Sequence, residues 1–299
     1  MELASVFEHY HDAFMAHYAD RLSSVQRQTL GAILRCRTPA AGEIRVRCAG
    51  CNHTQSQPLS CGNRSCPKCQ NHEATQWLDR QRAKLLPVDY FMATFTLPTE
   101  LRALAWRHQS EVYAMLFACA ASTLKDFGLN PDKLGADIGM TAVLHTHTRR
   151  LDYHPHVHVV VPGGGIDATR RQWKKKKGKF LFNAFALAKV FRARFLNALN
   201  EAGFSIPSGV PDRWVVDCTH VGKGKPALEY LSRYLYSGVI SEKNIVANQS
   251  GHVTFRYING KTGQSQTRTQ KGEEFLWLVL QHVLPKGFRR VRRLHGCRR

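Results

Sequence analysis

Residues 154–165 read HPHVHVVVPGGG, with histidines at alternating positions in a valine-rich run. Side chains alternate between the two faces of a strand. His156 and His158 therefore share one face, and Val157, Val159 and Val161 share the other. The valines can enter a core while both imidazoles point at one site. The preceding alternating segment, MTAVLHTHT (140–148), offers His145 and His147 in the same way. If the two strands pair antiparallel, a histidine of the first reaches an ion held by the second. A lone strand histidine is usually structural; two separated by one hydrophobe, opposite two more, predict a divalent-metal site. Imidazoles alone suit zinc, nickel or manganese. A nuclease ion also needs open positions for phosphate oxygens. Gly163–Gly165 is not a phosphate-binding loop, because no Gly-Lys-Ser/Thr follows it. It is expected to be a turn at positive φ, and ATP use is not expected.

A second set of ligands lies upstream. Cys48-Ala-Gly-Cys51 and Cys66-Pro-Lys-Cys69 are two C-x2-C pairs with 14 residues between them. Each pair can place two thiolates on one ion, and four thiolates complete a zinc tetrahedron. The spacing predicts a structural zinc on Cys48, Cys51, Cys66 and Cys69. Cys61, with His53 and His72, leaves the set open: Cys61 would replace a pair member or serve a second ion. Cys36, Cys119, Cys218 and Cys297 are expected to be buried thiols or bystanders. Arg45, Arg47, Arg64 and Lys68 beside these cysteines suit DNA docking, or the knuckle is a brace alone.

A third candidate is the segment PALEYLSRYLYSG (226–238), with Pro226 at its first turn and Gly238 past its end. Leu228, Leu231 and Leu235 form an apolar stripe; Tyr230 and Tyr234, at i and i+4, lie together on a neighbouring face. Taken alone, the tyrosines would cover the edge of a core. Beside a histidine metal site they gain another role. A tyrosine can attack a phosphodiester and hold the strand as a phosphotyrosine, given a Lewis acid and a setting that lowers its pKa. Arg233 lies between them for that purpose. The covalent link conserves bond energy, so strands rejoin without ATP.

These groups need elements to position them, and a reason to meet DNA. The 299 residues carry 43 Lys and Arg against 22 Asp and Glu, a net charge of +21. Such an excess points to a polyanion as partner. Lys174, Lys175, Lys176 and Lys177 form a local run, and Pro285–Arg299 holds seven Lys or Arg and no acid. These supply backbone contacts; Tyr153, Trp173 and Phe180 are candidates for stacking on unpaired bases. No apolar signal or membrane span is read, so a cytoplasmic protein is expected, whose nine cysteines favour metal over disulfides. Residues 1–35 and 72–86 read as helical, 89–98 as a strand, and 99–128 as one or two helices. Strands are expected at 140–148 and 156–162, an extended segment at 213–222, and a hairpin arm at 253–260.

Together these motifs resemble a known family. His156-Val157-His158 matches the His–hydrophobe–His motif of HUH single-strand endonucleases. Tyr230-Leu-Ser-Arg-Tyr234 resembles the paired tyrosines of the two-tyrosine, rolling-circle transposases of bacterial insertion sequences. CAGC and SCGNRSCPKCQ resemble their amino-terminal zinc-binding domain. FTLP (95–98), LHTHTRRLDYHPHVHVVVPGGG and QHVLPKGFRRVR (281–292) resemble stretches beside and after their active site. The resemblance implies an α+β fold, a HUH-endonuclease palm (a central antiparallel sheet flanked by helices) preceded by a small zinc-binding domain. It implies a helical and zinc-binding domain at 1–88, a nuclease domain at 89–250 and a basic extension at 251–299. It implies Mg2+ or Mn2+ as the catalytic ion and single-stranded or hairpin DNA as the substrate. One of Tyr230 and Tyr234 would take the 5′ phosphate and free a 3′ hydroxyl; the other would act in strand transfer. HUH enzymes add a third polar ligand: His145 is first choice, then His147, then His154. Tyr236 is expected to be non-catalytic. Family members generally continue beyond HVLPKGFRRVRRLHGCRR, so a truncated copy is one expectation. A plasmid relaxase or replication initiator shares the same chemistry, and a non-catalytic zinc-dependent DNA-binding protein is the alternative from another class. A phosphate-independent metalloenzyme using the histidines is not expected, because no HExxH or comparable general base accompanies them.

Overall fold

The structure is a computed structural model that describes residues 1–69, 76, 78–224, 226, 229, 239–260 and 262–294. The chain divides into two compact units, each discontinuous in sequence. The first comprises Met1–Trp77, His147–Tyr153 and Tyr236–Lys286, and the second Leu78–Thr146, His154–Leu235 and Gly287–Arg299.

In the first unit the expected amino-terminal helix is two helices, α1 (Leu3–Tyr18) and α2 (Ser24–Arg35). A reciprocal capping box starts α2: Gln26 N–H donates to Ser23 Oγ at 3.3 Å, and Ser23 N–H to Gln26 Oε1 at 2.9 Å. The ribbon of β1 (Glu43–Arg47) and β2 (Thr54–Pro58) follows.

The second unit is built on a five-stranded sheet. It contains β3 (Tyr90–Thr96), β4 (Met140–His147), β5 (Tyr153–Pro162), β8 (Val216–His220) and β12 (Val291–Leu294) in the order β12-β4-β5-β3-β8. β3 runs antiparallel to both β5 and β8, as β12 does to β4. Phe91, Ala93 and Phe95 pair with Val161, Val159 and Val157, so these buried side chains share one face. The helix Ala184–Glu201 covers that face, with the Phe191 ring 4.9 Å from that of Phe95. Even-numbered residues of β5, His156 and His158 among them, take the other face. The helix Gln109–Leu129 is long and apolar enough to cross a membrane, but it carries Glu111, Lys125 and Asp126, and more than half of it is buried in the protein, as a core helix is.

The glycine run differs from expectation. Gly163–Gly165 is not at positive φ; Gly164 and Gly165 begin β6 (Gly164–Asp167), which pairs with β7 (Gln172–Lys175). Close approach explains the glycines instead. A Cβ on Gly164 would stand 2.5 Å from the Trp173 ring, and one on Gly165 2.4 Å from the Asp137 carbonyl oxygen.

In the first unit β9 (Ile245–Gln249), β10 (His252–Ile258) and β11 (Ser265–Lys271) form a meander, the arm expected at 253–260. Its inward Val253 and Phe255 join Phe7 and Phe14 of α1 and Phe275 of the helix Gly272–Leu280 in one core.

Candidate functional site

Two groups of metal-ligating side chains are present among the described residues, one in each unit. In the second unit His145, His156 and His158 each offer a ring nitrogen, and these atoms lie within 4.8 Å of one another. Strand alternation brings them together: His156 and His158 share a face of β5, and neighbouring β4 contributes His145. Across β5, Thr94 is the register partner of His158 and Thr96 that of His156. The Thr94 hydroxyl lies 3.0 Å from His158 Nδ1. His156 Nδ1 lies 2.7 Å from the His154 carbonyl oxygen, which can only accept, so Nδ1 carries the proton and Nε2 keeps its lone pair.

Burial sets the charge of this group. It lowers His156 to about 4, and lowers His158 to about 3 with help from the neighbouring His156 charge. Both rings are therefore neutral near pH 7, the form that ligates a cation. A donor set of three clustered imidazoles, with the Nδ1 atoms of His156 and His158 each against an oxygen partner, fits a divalent ion. The other two histidines considered as third ligand sit differently. His154 Nδ1 faces the Arg102 guanidinium at 2.6 Å, and His147 Nδ1 lies 3.0 Å from the Thr148 carbonyl oxygen.

In the first unit the group is Cys36, Cys61, Cys66 and Cys69. The spacing of the two C-x2-C pairs couples Cys48 and Cys51 to Cys66 and Cys69; the folded chain instead brings Cys36 and Cys61 there. Cys36 caps the carboxyl end of α2 and is buried. Arg37 then turns through a left-handed conformation (φ 59°), and its N–H donates to the Leu59 carbonyl at 3.0 Å, which draws the segment before Cys61 alongside Cys36. Cys48 and Cys51 are exposed, at the tip of the β1–β2 ribbon. In the cluster, Cys36 and Cys69 sulfurs are 3.4 Å apart, and Cys61–Cys69 and Cys66–Cys36 each 3.6 Å. A tetrahedral ion with Zn–S bonds of about 2.3 Å needs sulfurs about 3.8 Å apart, so the donors fit zinc. Burial raises the Cys61 thiol to about 11 and raises Cys66 as well; a bound dication is what would deprotonate them.

Of the expected DNA contacts, Lys174 and Lys175 lie exposed on β7, Lys176 is half-buried, and Lys177 is exposed beyond the strand. Trp173 packs its ring against Gly164 and stays partly exposed, and Phe180 is exposed. Tyr230, Arg233, Tyr234 and Tyr236 lie outside the described residues, as does His72. Glu229, one residue before Tyr230, pairs with Arg82 at 3.1 Å. Thr94, Arg102 and Cys36 are the residues missed by sequence reasoning. The signal for Thr94 was present, in the matched alternation of the 89–98 and 156–162 strands.

Comparison with known proteins gives the family of the chain. Residues 139–297 match the family described as "Putative transposase", and residues 6–97 match the "Transposase zinc-binding domain". A protein of Sinorhizobium fredii (strain NBRC 101917 / NGR234) named "Putative transposase y4qJ" is 36% identical, over 97% of this chain and 79% of its own. The "Transposase for insertion sequence element IS801" of Pseudomonas savastanoi pv. phaseolicola is 27% identical, over 91% of this chain and 70% of its own. Among solved structures, the metal-bound conjugative relaxase TrwC in complex with oriT DNA matches at 17% identity and a TM-score of 0.33, over 50% of this chain and 66% of that one. The chain therefore belongs to this family of transposases, with its zinc-binding domain preceding the region that defines the family.

Proposed function

We propose that this transposase nicks and rejoins single-stranded or hairpin DNA at the ends of an insertion sequence, through a phosphotyrosine intermediate. The observation that carries the reading is the convergence of His145, His156 and His158 on one face of the sheet, with His156 and His158 held neutral. These three would hold Mg2+ or Mn2+, which when bound supplies Lewis-acid polarisation of the scissile phosphate. Tyr230 or Tyr234 is the nucleophile: its oxygen attacks the phosphorus, the 3′ oxygen leaves as a hydroxyl, and the 5′ phosphate stays on the tyrosine. Attack by that 3′ hydroxyl, or by one on another strand, reverses the step and frees the tyrosine. No nucleotide cofactor is consumed.

Other residues orient rather than react. Thr94 and the His154 carbonyl fix two imidazole rings. Lys174–Lys177 and Arg233 engage phosphates and set register without reading sequence. Zinc on Cys36, Cys61, Cys66 and Cys69 braces the amino-terminal region. Functionally the chain divides into a helical and zinc-binding segment (1–88), a nuclease segment (89–250) and a basic extension (251–299), working in the cytoplasm. The test is cleavage of a labelled single-stranded oligonucleotide from an element end. Cleavage should need Mg2+ or Mn2+, stop on chelation, and be absent from His156→Ala while that variant still binds DNA. Binding without cleavage by the unaltered chain under every metal would identify a non-catalytic DNA-binding protein instead.

A further inference from the structure

The histidine face of the sheet continues past the metal ligands. On β5, Val160 and Pro162 are the next residues on the side of His156 and His158, about 7 and 14 Å beyond His158 at ~3.4 Å per residue. Tyr90 of β3 is the register partner of Pro162 and stands on that face too. On β4, Thr141 follows the alternation of His145, and Arg293 of β12 is the register partner of Thr141. One end of the face therefore carries imidazoles, and the other a mixture of apolar, hydroxyl and cationic side chains.

That second end lines a cavity of about 170 Å3, whose remaining wall comes from Gly139 and the segment 78–86. Arg293 donates to Gln81 Oε1 at 2.6 Å, and Leu86 N–H donates to the Tyr90 hydroxyl at 2.9 Å; both bonds tie the segment to the sheet. Tyr90 and Val160 are buried, while Lys84, Leu86 and Arg293 are exposed at the rim. Among the described residues no acid lines the cavity. Mainly apolar walls with a few polar groups suit a flat ring that carries hydrogen-bonding edges. The Tyr90 hydroxyl accepts from Leu86 and keeps its own proton to donate, and the Thr141 hydroxyl can do either. Two cations at the rim suit a phosphate joined to that ring. A nucleotide has both parts.

The cavity wall is also joined to the chain that leads to Tyr230. Gly224, at φ 83°, lies against it: a Cβ there would stand 2.6 Å from the Tyr90 ring and 2.9 Å from Leu85. Tyr90 N–H donates to the Gly222 carbonyl at 2.7 Å, and Arg82 pairs with Glu229 at 3.1 Å.

We propose that this cavity seats one unpaired base of the DNA strand whose phosphate lies at His145, His156 and His158, an inference that rests on the reading of the chain as a single-strand nuclease. The base packs against Tyr90, Val160 and Pro162, and Lys84 and Arg293 engage its backbone phosphate. Phosphate contacts alone carry no sequence information, whereas an enclosed base edge does. The seated base thereby selects which phosphate of the strand reaches the histidines.

The experiment is a binding titration of the full chain without added Mg2+ or Mn2+, so that it reads seating apart from nicking. The probes are labelled single-stranded oligonucleotides from an element end, with an abasic nucleotide placed at each position in turn. One position should stand out, with affinity about 10-fold weaker than the intact strand. Gly139 gives the matching change in the protein, because it lines the cavity and a Cβ there meets nothing within 4 Å. Gly139→Leu should fill the space and weaken the intact oligonucleotide about 10-fold, yet barely affect the one that lacks the seated base. Lys84→Ala, at an exposed rim position that leaves packing intact, should make the slope of log K against log salt shallower by about 0.7. A flat abasic scan overturns the proposal, and so does an unchanged slope in Lys84→Ala. A Gly139→Leu loss equal on intact and abasic strands overturns it as well. In each of those cases, metal-dependent cleavage by the unaltered chain would still uphold the nuclease reading. Conversely, one base-sensitive position in a chain that cleaves nothing would keep the base site and remove the nuclease.

Discussion

The hydroxyl of Thr94 stands 3.0 Å from Nδ1 of His158, directly across the β3–β5 register. The contact fixes one imidazole ring from the neighbouring strand. Outer partners of metal-bound histidines typically govern affinity by 10- to 100-fold. Thr94→Val keeps shape and removes the hydroxyl, and should weaken Mn2+ binding about 10-fold. Thr94→Ser should restore most of it. Calorimetric titration of the three proteins decides; equal affinities would make Thr94 a packing residue only.

Cys36 should matter to stability, although it stands outside both C-x2-C pairs. Structural zinc in small domains contributes on the order of 10 kcal/mol. Removing one of four thiols forfeits a large part of that. Cys36→Ser should release zinc to a chelator faster and lower the thermal midpoint by about 10 °C or more, since ~1 kcal/mol moves a midpoint by about 2–4 °C at moderate domain sizes. Cys119→Ser, at a buried thiol outside the cluster, serves as the comparison and should keep its zinc.

The lysine run is testable through salt. Each phosphate neutralised on a single strand contributes about −0.7 to the slope of log K against log salt. Replacing Lys174–Lys177 with alanine should make that slope shallower by about 2 to 3, and weaken binding alike for every sequence. An unchanged slope would remove these lysines from the interface.

Acid should unfold the metal-free protein through the buried histidines. His156 and His158 are held near 4 and 3, against an ordinary value of 6.5. Between those limits the unfolded chain binds protons that the folded chain refuses, so stability falls as pH falls. The contribution is fully present above pH 6.5 and is lost progressively down to about pH 4 for His156 and about pH 3 for His158. Each imidazole accounts for about 1.4 kcal/mol per pH unit in that window. Urea midpoints of chelated protein from pH 7 to pH 4.5 should therefore drop steeply, and less steeply in His156→Ala.

The histidine site was legible because strand alternation is a period-two rule that local sequence obeys: once 156–162 is a strand, His156, His158 and the valines have no choice of face. The partnership of β4 with β5 followed from their adjacency. The cysteine cluster was less legible. C-x2-C spacing says which thiols lie together in a turn, but not which turns converge. That choice rests on Arg37 in a left-handed conformation and on its bond to Leu59, which composition does not reveal. Gly163–Gly165 misled for a related reason. Glycine serves both positive φ and close approach, and only the positions of Trp173 and Asp137 distinguish them.

The covalent bond between tyrosine and DNA is the step on which the proposed reaction turns. The direct measurement is to incubate the full chain with 5′- and 3′-labelled single-stranded DNA from element ends, with Mg2+ or Mn2+, and resolve the products on a denaturing gel. A protein–DNA adduct that retains the label 3′ to the nick is expected, together with a freed fragment ending in a 3′ hydroxyl. Adduct should be lost in the Tyr230→Phe/Tyr234→Phe double variant and in His156→Ala, and the single tyrosine variants rank the two nucleophiles. Cleavage without adduct, or adduct that survives loss of both tyrosines, would contradict it.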